Sequence, residues 1–217
     1  MLFRSQVRQR TALVNQIRGL LSEYDIVISR RVESLRNALP DILEDAENKL
    51  TADFRILLKG LQEDLMHLDD RIDTQDQAIK RLAQEHEGAK RLQQLRGIGP
   101  ITATALIAAI GDGHQFARGR DAAAWCGLVP GQHSSGGKSK LLGISKRGDT
   151  YLRTLLIHGA RSVLTHAKEP GPWLEQLKGR RPANVVIVAQ AAKMARTIWA
   201  MLTKQEDYQT PATATAV

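Results

Sequence analysis

The sequence predicts an all-α protein, on three observations. Hydrophobic residues make up 42% of the 217-residue chain but aromatics only 4%, so the apolar material is of the Ala and Leu kind that favours helices over sheets. Apolar positions recur at helical spacing along most of the chain. One long segment, residues 183–202, is apolar nearly all round, as a helix buried in a domain core must be. The architecture expected is a long coiled-coil or helical-hairpin region followed by a compact helical domain with a basic Gly/Ser loop.

Taking the elements in order, residues 2–23 place Val7, Leu13, Val14, Ile17, Leu20 and Leu21 largely on one helical face, with Arg4, Arg8, Arg10 and Arg18 elsewhere. A second helical piece, 29–39, is expected to stop before Pro40, because proline restricts the residue preceding it. From Leu50 the apolar residues run Leu50, Phe54, Leu57, Leu61, Leu68, Ile72, Ile79, Leu82 and Ala89. This is a broken heptad that serves either a hairpin on the chain's own first helices or a dimeric coiled coil. Asp69 and Asp70 are adjacent on this rod and face different directions, which suits a solvated face better than a shared metal. The division expected is a basic helical linker region at 1–46, a rod at 47–92, a compact domain at 93–204 and a disordered tail at 205–217.

After the rod, Gly97 and Gly99 bracket Ile98, Pro100 follows, and an apolar helix runs from about Thr102 to Ile110 before Gly111-Asp112-Gly113 breaks it. Glycines at a helix start let backbone N–H groups approach a phosphate closely. Helix, tight Gly-Ile-Gly turn and helix together resemble the helix-hairpin-helix that holds duplex DNA by its backbone, making Gly97, Gly99 and Thr102 DNA-binding candidates. A buried turn between packed helices would read the same way. A short helix at 120–127 ends at Gly127, and GLVPGQHSSGGKSKLLGISKRGD then reads as a loop of some length, where function concentrates. Asp149 caps the next helix, whose Leu152, Leu155, Leu156, Ile157, Ala160 and Val163 bury one face, with Arg153, His158 and Arg161 interleaved.

Charge divides the chain. The net charge is +8, yet residues 41–77 hold eleven acids against four bases, and residues 115–181 hold twelve bases against four acids. A polyanion is therefore expected on the C-terminal body and not on the acidic rod. The one cysteine, Cys126, excludes an internal disulfide and suits a reducing compartment. The N-terminus MLFRSQVRQR lacks the apolar core of a secretory signal, and no uninterrupted apolar run reaches bilayer length. A cytoplasmic protein without a membrane partner is expected.

The chemistry centres on the loop. Ser134 and Ser135 precede Gly136-Gly137, with Lys138, Lys140, Lys146 and Arg147 close behind. A serine among cations can attack a phosphodiester while the cations hold the non-bridging oxygens. Ser-Ser-Gly-Gly is equally common in plain linkers, and a basic loop can simply sit on phosphates. Arg153 and Arg161 either contact phosphate or pack the loop. His133 is read as a solvated loop histidine, His158 and His166 stand too far apart for paired metal ligation, and Cys126 is read as buried and inert.

The stretches LRGIGPITATALIAAIG and FARGRDAAAWCGLVPGQHSSGGKSKLLGISKRGDTYLRTLLIHGAR together resemble the C-terminal domain of insertion-sequence transposases related to the Piv invertase, the bridge-RNA-guided group numbered 110/116/902. The likeness covers roughly residues 90–203, and residues 9–26 resemble the helix following that family's nuclease domain. It implies that Ser135, with Ser134 as the alternative, links covalently to a DNA 5′ phosphate in transposition. It implies DNA as partner and allows guide RNA as a second. The family's RuvC-like domain binds Mg²⁺ through four acidic residues. Residues 1–90 read as helices throughout and hide no such domain, so no cofactor is expected in this chain itself, and strand cleavage is expected to depend on a nuclease domain supplied elsewhere. The rod would then serve homo-oligomers or mixed oligomers with full-length transposase. The competing reading is a non-catalytic DNA-binding remnant or regulator that dimerises with full-length transposase.

Overall fold

The computed structural model describes residues 2–135, 138–167 and 171–209, with only the backbone described for Leu2 and for residues 133–141. Among these residues the chain is helical apart from one strand pair, in the order α1 (Leu2–Ser22), α2 (Val32–Glu44), α3 (Ala52–Glu85), α4 (Glu87–Leu92), α5 (Pro100–Ile110), α6 (Gly119–Trp125), β1 (Pro130–Ser135), β2 (Lys138–Ile144), α7 (Thr150–His166), α8 (Pro172–Lys178) and α9 (Ala183–Lys204). The all-α expectation holds. The chain divides into two compact units, Met1–Ala78 and Ile79–Val217.

In the first unit, Val14, Ile17 and Leu21 of α1, Leu35 and Leu39 of α2, and Leu50, Leu58 and Leu65 form one buried cluster. The first half of α3 thus packs on the chain's own leading helices. Its buried seam runs Leu58, Leu65, Ile72, while Leu57 and Leu82 of the expected heptad are 50% and 53% exposed. The seam sits one residue further along than the expected one through Leu57, because α1 and α2 cover only one side of the helix. Asp69, expected on a solvated face, instead receives Arg10 at 3.3 Å and Arg36 at 2.5 Å. Arg55 fastens α2 to α3, donating to the carbonyls of Ile42, Leu43 and Asp45 and to Asn48.

Pro40 corrects a second expectation. It lies inside α2, which continues to Glu44. Proline removes one intrahelical donor, but Leu35 and Leu39 are fully buried on the preceding turns. Their packing holds the helix through the proline. The rod is broken at His86, which is extended and caps α4 by accepting from the backbone N–H of Ala89.

In the second unit, α9 is the core helix. Ile187, Ala191, Met194, Ala195, Ile198, Met201 and Leu202 meet residues of α5, α6 and α7 in one cluster. Among the described residues α9 alone is long and apolar enough to cross a membrane by length and composition; its apolar face is the one occupied by this core. The Trp199 indole N–H reaches the carbonyls of Gly113 and Phe116 and ties the α5–α6 connection to α9. The start of the expected loose tail is also bound down: the Tyr208 N–H donates to Gln94, and Asp207 pairs with Arg91 at 3.4 Å. Residues 210–217 lie outside the described residues.

The largest departure lies at residues 127–149, expected as a loop. Here β1 and β2 form an antiparallel pair in which Ser135 is opposite Lys138, Ser134 opposite Ser139 and His133 opposite Lys140. The register shifts between Pro130 and Gln132, a bulge that places an extra residue on β2. Backbone hydrogen bonding joins the two strands in this register.

Candidate nucleic-acid interface

The strand pair stands on a footing built from glycines, one arginine and a helix cap. Gly127 has φ +69°, and a Cβ there would collide with the carbonyl of Arg147 and come within 2.7 Å of the Arg153 guanidinium. Gly148 has φ +81°, and a Cβ there would run into the carbonyl of Trp125. Only glycine fits both the left-handed conformation and the close approach. The chain entering the hairpin is thereby pressed against the chain leaving it. Ser145 N–H donates to the Val129 carbonyl at 2.9 Å, and Lys146 N–H to the Gly127 carbonyl at 3.3 Å.

Arg153 locks this junction from below. It is buried, and its guanidinium donates to the carbonyls of Cys126 at 3.2 Å and Arg147 at 3.1 Å and to the Thr150 hydroxyl at 3.1 Å. Of the two readings the sequence left for Arg153, phosphate contact or packing of the loop, these three bonds inside the fold favour the second. Asp149 caps α7, accepting from the N–H groups of Tyr151 and Leu152 at 2.8 and 2.9 Å. Burial and then the Asp149 carboxylate push the Cys126 thiol up to about 11, against the opposing pull of Arg153. The thiol stays protonated at neutral pH and is no nucleophile.

At the foot of the hairpin Lys146 and Arg147 are exposed, and Lys146 takes a left-handed backbone, φ 55°. The side chains of Ser134, Ser135, Lys138 and Lys140 lie outside the described residues, as do Gly136 and Gly137 altogether. The backbone nevertheless brings Ser135 and Lys138 opposite one another at the far end of the pair.

The Gly-Ile-Gly turn lies elsewhere along α7. Gly97 has φ +88°, and a Cβ there would come within 2.6 Å of the Gly159 carbonyl. Gly159 and Gly97 therefore let turn and helix touch backbone to backbone. The tolerance of Gly97 for a left-handed conformation serves this packing, and Thr102 is buried in α5. Gly99 is different: it is exposed, precedes Pro100 as the cap of α5, and has open space where a Cβ would stand. Of the three candidates in this motif, only Gly99 faces solvent with helix N–H groups behind it. Gly159 lies ten residues beyond Asp149, roughly 15 Å along the helix at 1.5 Å per residue, so α7 carries both the hairpin footing and the turn.

Sequence reasoning took Gly127 only as a helix stop, missed Gly148, and left Arg153 between phosphate contact and packing of the loop. The Gly136-Gly137 pair flanked by Ser/Lys runs was an available signal, since two-residue Gly-Gly connections are favoured in hairpins. Among the described residues no group of three or more His, Cys, Asp or Glu is placed to hold a metal ion.

Residues 89–175 match the family model described as the Transposase IS116/IS110/IS902 family. The chain is 45% identical over 207 residues to a Coxiella burnetii protein described as the transposase for insertion sequence element IS1111A, covering 94% of this chain and 57% of that protein. It is 46% identical over 210 residues to a probable family 20 transposase of Pseudomonas aeruginosa, covering 94% and 62%. To the transposase for insertion sequence element IS1328 of Yersinia enterocolitica it is 37% identical over 202 residues, covering 91% and 60%. The chain thus spans between 57% and 62% of the length of these relatives.

Proposed function

We propose that the chain is the DNA-engaging part of a transposase of the IS116/IS110/IS902 family, whose model matches residues 89–175, and that it acts in DNA transposition. Ser135 is its nucleophile, with Ser134 as the alternative. The observation that carries the proposal is the anchored hairpin. A serine-bearing strand pair lies within the matched residues, fixed at its base by Gly127, Gly148 and Arg153, with exposed Lys146 and Arg147 at its foot.

In the proposed step the Ser135 Oγ attacks the phosphorus of a DNA phosphodiester. A P–O bond to serine forms as the bond to the 3′ oxygen breaks, the serine proton passes to a base, and the 3′ oxygen takes up a proton and leaves as a hydroxyl. The 5′ phosphate remains on the serine. Lys138, Lys140, Lys146 and Arg147 hold the non-bridging oxygens, and Gly99 offers the α5 N-terminus to a second phosphate. Arg153 is reassigned from phosphate to the hairpin footing, and Gly97 and Thr102 to the packing of the turn. In this reading cleavage depends on a RuvC-like domain outside the described residues, which would supply the Mg²⁺ chemistry. Copies of this chain, or this chain and full-length transposase, associate through the outward residues of α3, among them Ile56, Leu57 and Met66. Guide RNA is a further partner in this reading.

The test mixes the chain with a labelled duplex across a salt series, alone and with a full-length family member, and looks for an SDS-resistant adduct. An adduct in the mixture that disappears in Ser135→Ala supports the reading. An adduct that survives Ser135→Ala and disappears in Ser134→Ala moves the role to the neighbour. Absence of duplex binding at low salt overturns the reading, and binding without an adduct in either mixture reduces the chain to a DNA-binding regulator.

A further inference from the structure

A second surface in the unit Ile79–Val217 has the make-up of a nucleotide site. Leu174 of α8 is buried with Val163 and Val186, which leaves its neighbour Trp173 at the surface, 37% exposed. Facing it, Lys193, Arg196, Thr197 and Ala200 follow one another at i, i+3, i+4 and i+7, a single stripe along α9. Trp173 and these four line an open groove of about 500 Å³. The Lys193 ammonium lies 4.3 Å from the centre of the Trp173 ring. The start of α6 packs on the same stretch of α9, since a Cβ on Gly119 would come within 3.3 Å of the Arg196 Cα. Arg118 and Arg120, on either side of Gly119, are exposed, as is Asp121 in the same turn. Glu175, the nearest acid on α8, is two residues from Trp173 and so about 200° round a helix of 3.6 residues per turn.

We propose that this groove binds an unpaired nucleotide strand, one base stacking on Trp173 and its phosphates lying on Lys193 and Arg196. It rests on the reading that this chain handles nucleic acid, but it uses none of the hairpin residues. Lys193 is half-buried where it covers the indole; a base stacking on Trp173 takes the place of the ammonium on the ring, and the displaced ammonium is released beside the incoming phosphate. A paired base has its faces stacked within the duplex, so the indole selects unpaired strands. An acidic peptide would engage the cations and leave the ring unused.

The test measures binding of labelled oligo(dT), oligo(U) and a blunt duplex to the full chain by fluorescence anisotropy. Trp173→Ala is expected to weaken single-strand binding by roughly 5- to 150-fold, the worth of one base–aromatic stack, with Trp173→Phe retaining most of the affinity and duplex binding unchanged. Loss on oligo(dT) alone assigns DNA to the groove, and loss on oligo(U) alone assigns RNA; either supports the site. Lys193→Gln and Arg196→Gln should each reduce the salt slope of single-strand binding by about one. Single-strand affinity that ignores Trp173→Ala, a Phe variant as weak as the Ala variant, or displacement by polyglutamate equal to that by oligo(dT) would overturn the proposal. If duplex binding fails while the Trp173-dependent binding persists, the groove stands and the hairpin reading falls.

Discussion

Arg153 sits in the most basic part of the sequence, yet its guanidinium is spent on two carbonyls and a hydroxyl under the hairpin. That gives it a stability role which its charge alone conceals. Arg153→Met should destabilise the chain by about 1–3 kcal/mol, the cost of leaving buried carbonyls without a donor. The salt slope of duplex binding should stay as it is, because no phosphate contact is removed. Denaturant titration and a salt series on the same variant check both halves; a slope lowered by one with stability intact would return Arg153 to the DNA. Gly127 and Gly148 belong to the same footing, and their left-handed backbones make them as restrictive as any side chain there.

At the scale of elements, α3 separates what its heptad suggests from what its neighbours accept. Leu58 is fully buried against α1 and α2, and Leu57 next to it is half exposed. Leu58→Ala is expected to cost about 2–5 kcal/mol, the range for truncating a packed leucine, while Leu57→Ala should lie within about 0.5 kcal/mol. Thermal and denaturant melts of the two variants read this directly. Equal losses at both positions would mean that the outward face of α3 is also packed, as in an oligomer through the rod. The hairpin makes the complementary point: β1 and β2 are joined by backbone pairing at Ser135–Lys138 and clamped at Ser145 and Lys146.

For the whole molecule, the two units carry separate cores, Val14 to Leu65 in one and Ala89 to Leu202 in the other. The acids between residues 41 and 77 fall in the first, and the basic stretch 115–181 in the second. Duplex binding should accordingly slow amide exchange around Gly99 and along 130–147 and leave 41–77 unchanged. Hydrogen-exchange mass spectrometry with and without duplex measures this; protection centred on 41–77 would contradict the charge argument. Sequence periodicity was enough to find most of the helices, including the caps at Asp149 and the stop before Gly111, because helical hydrogen bonds and capping are local. The Ser/Lys pattern and the basic balance of 115–181 were legible for the same reason, being properties of composition. The continuation of α2 through Pro40, the Leu58 seam, the carbonyl partners of Arg153 and the groove at Trp173 were not, and of the strand pair only the Gly-Gly signal was present. Each depends on which distant segment lies opposite: α1 and α2 against α3, Arg147 against Gly127, α9 against α8. Burial and pairing energies are set by those partners, and a residue's own neighbours in sequence carry no record of them.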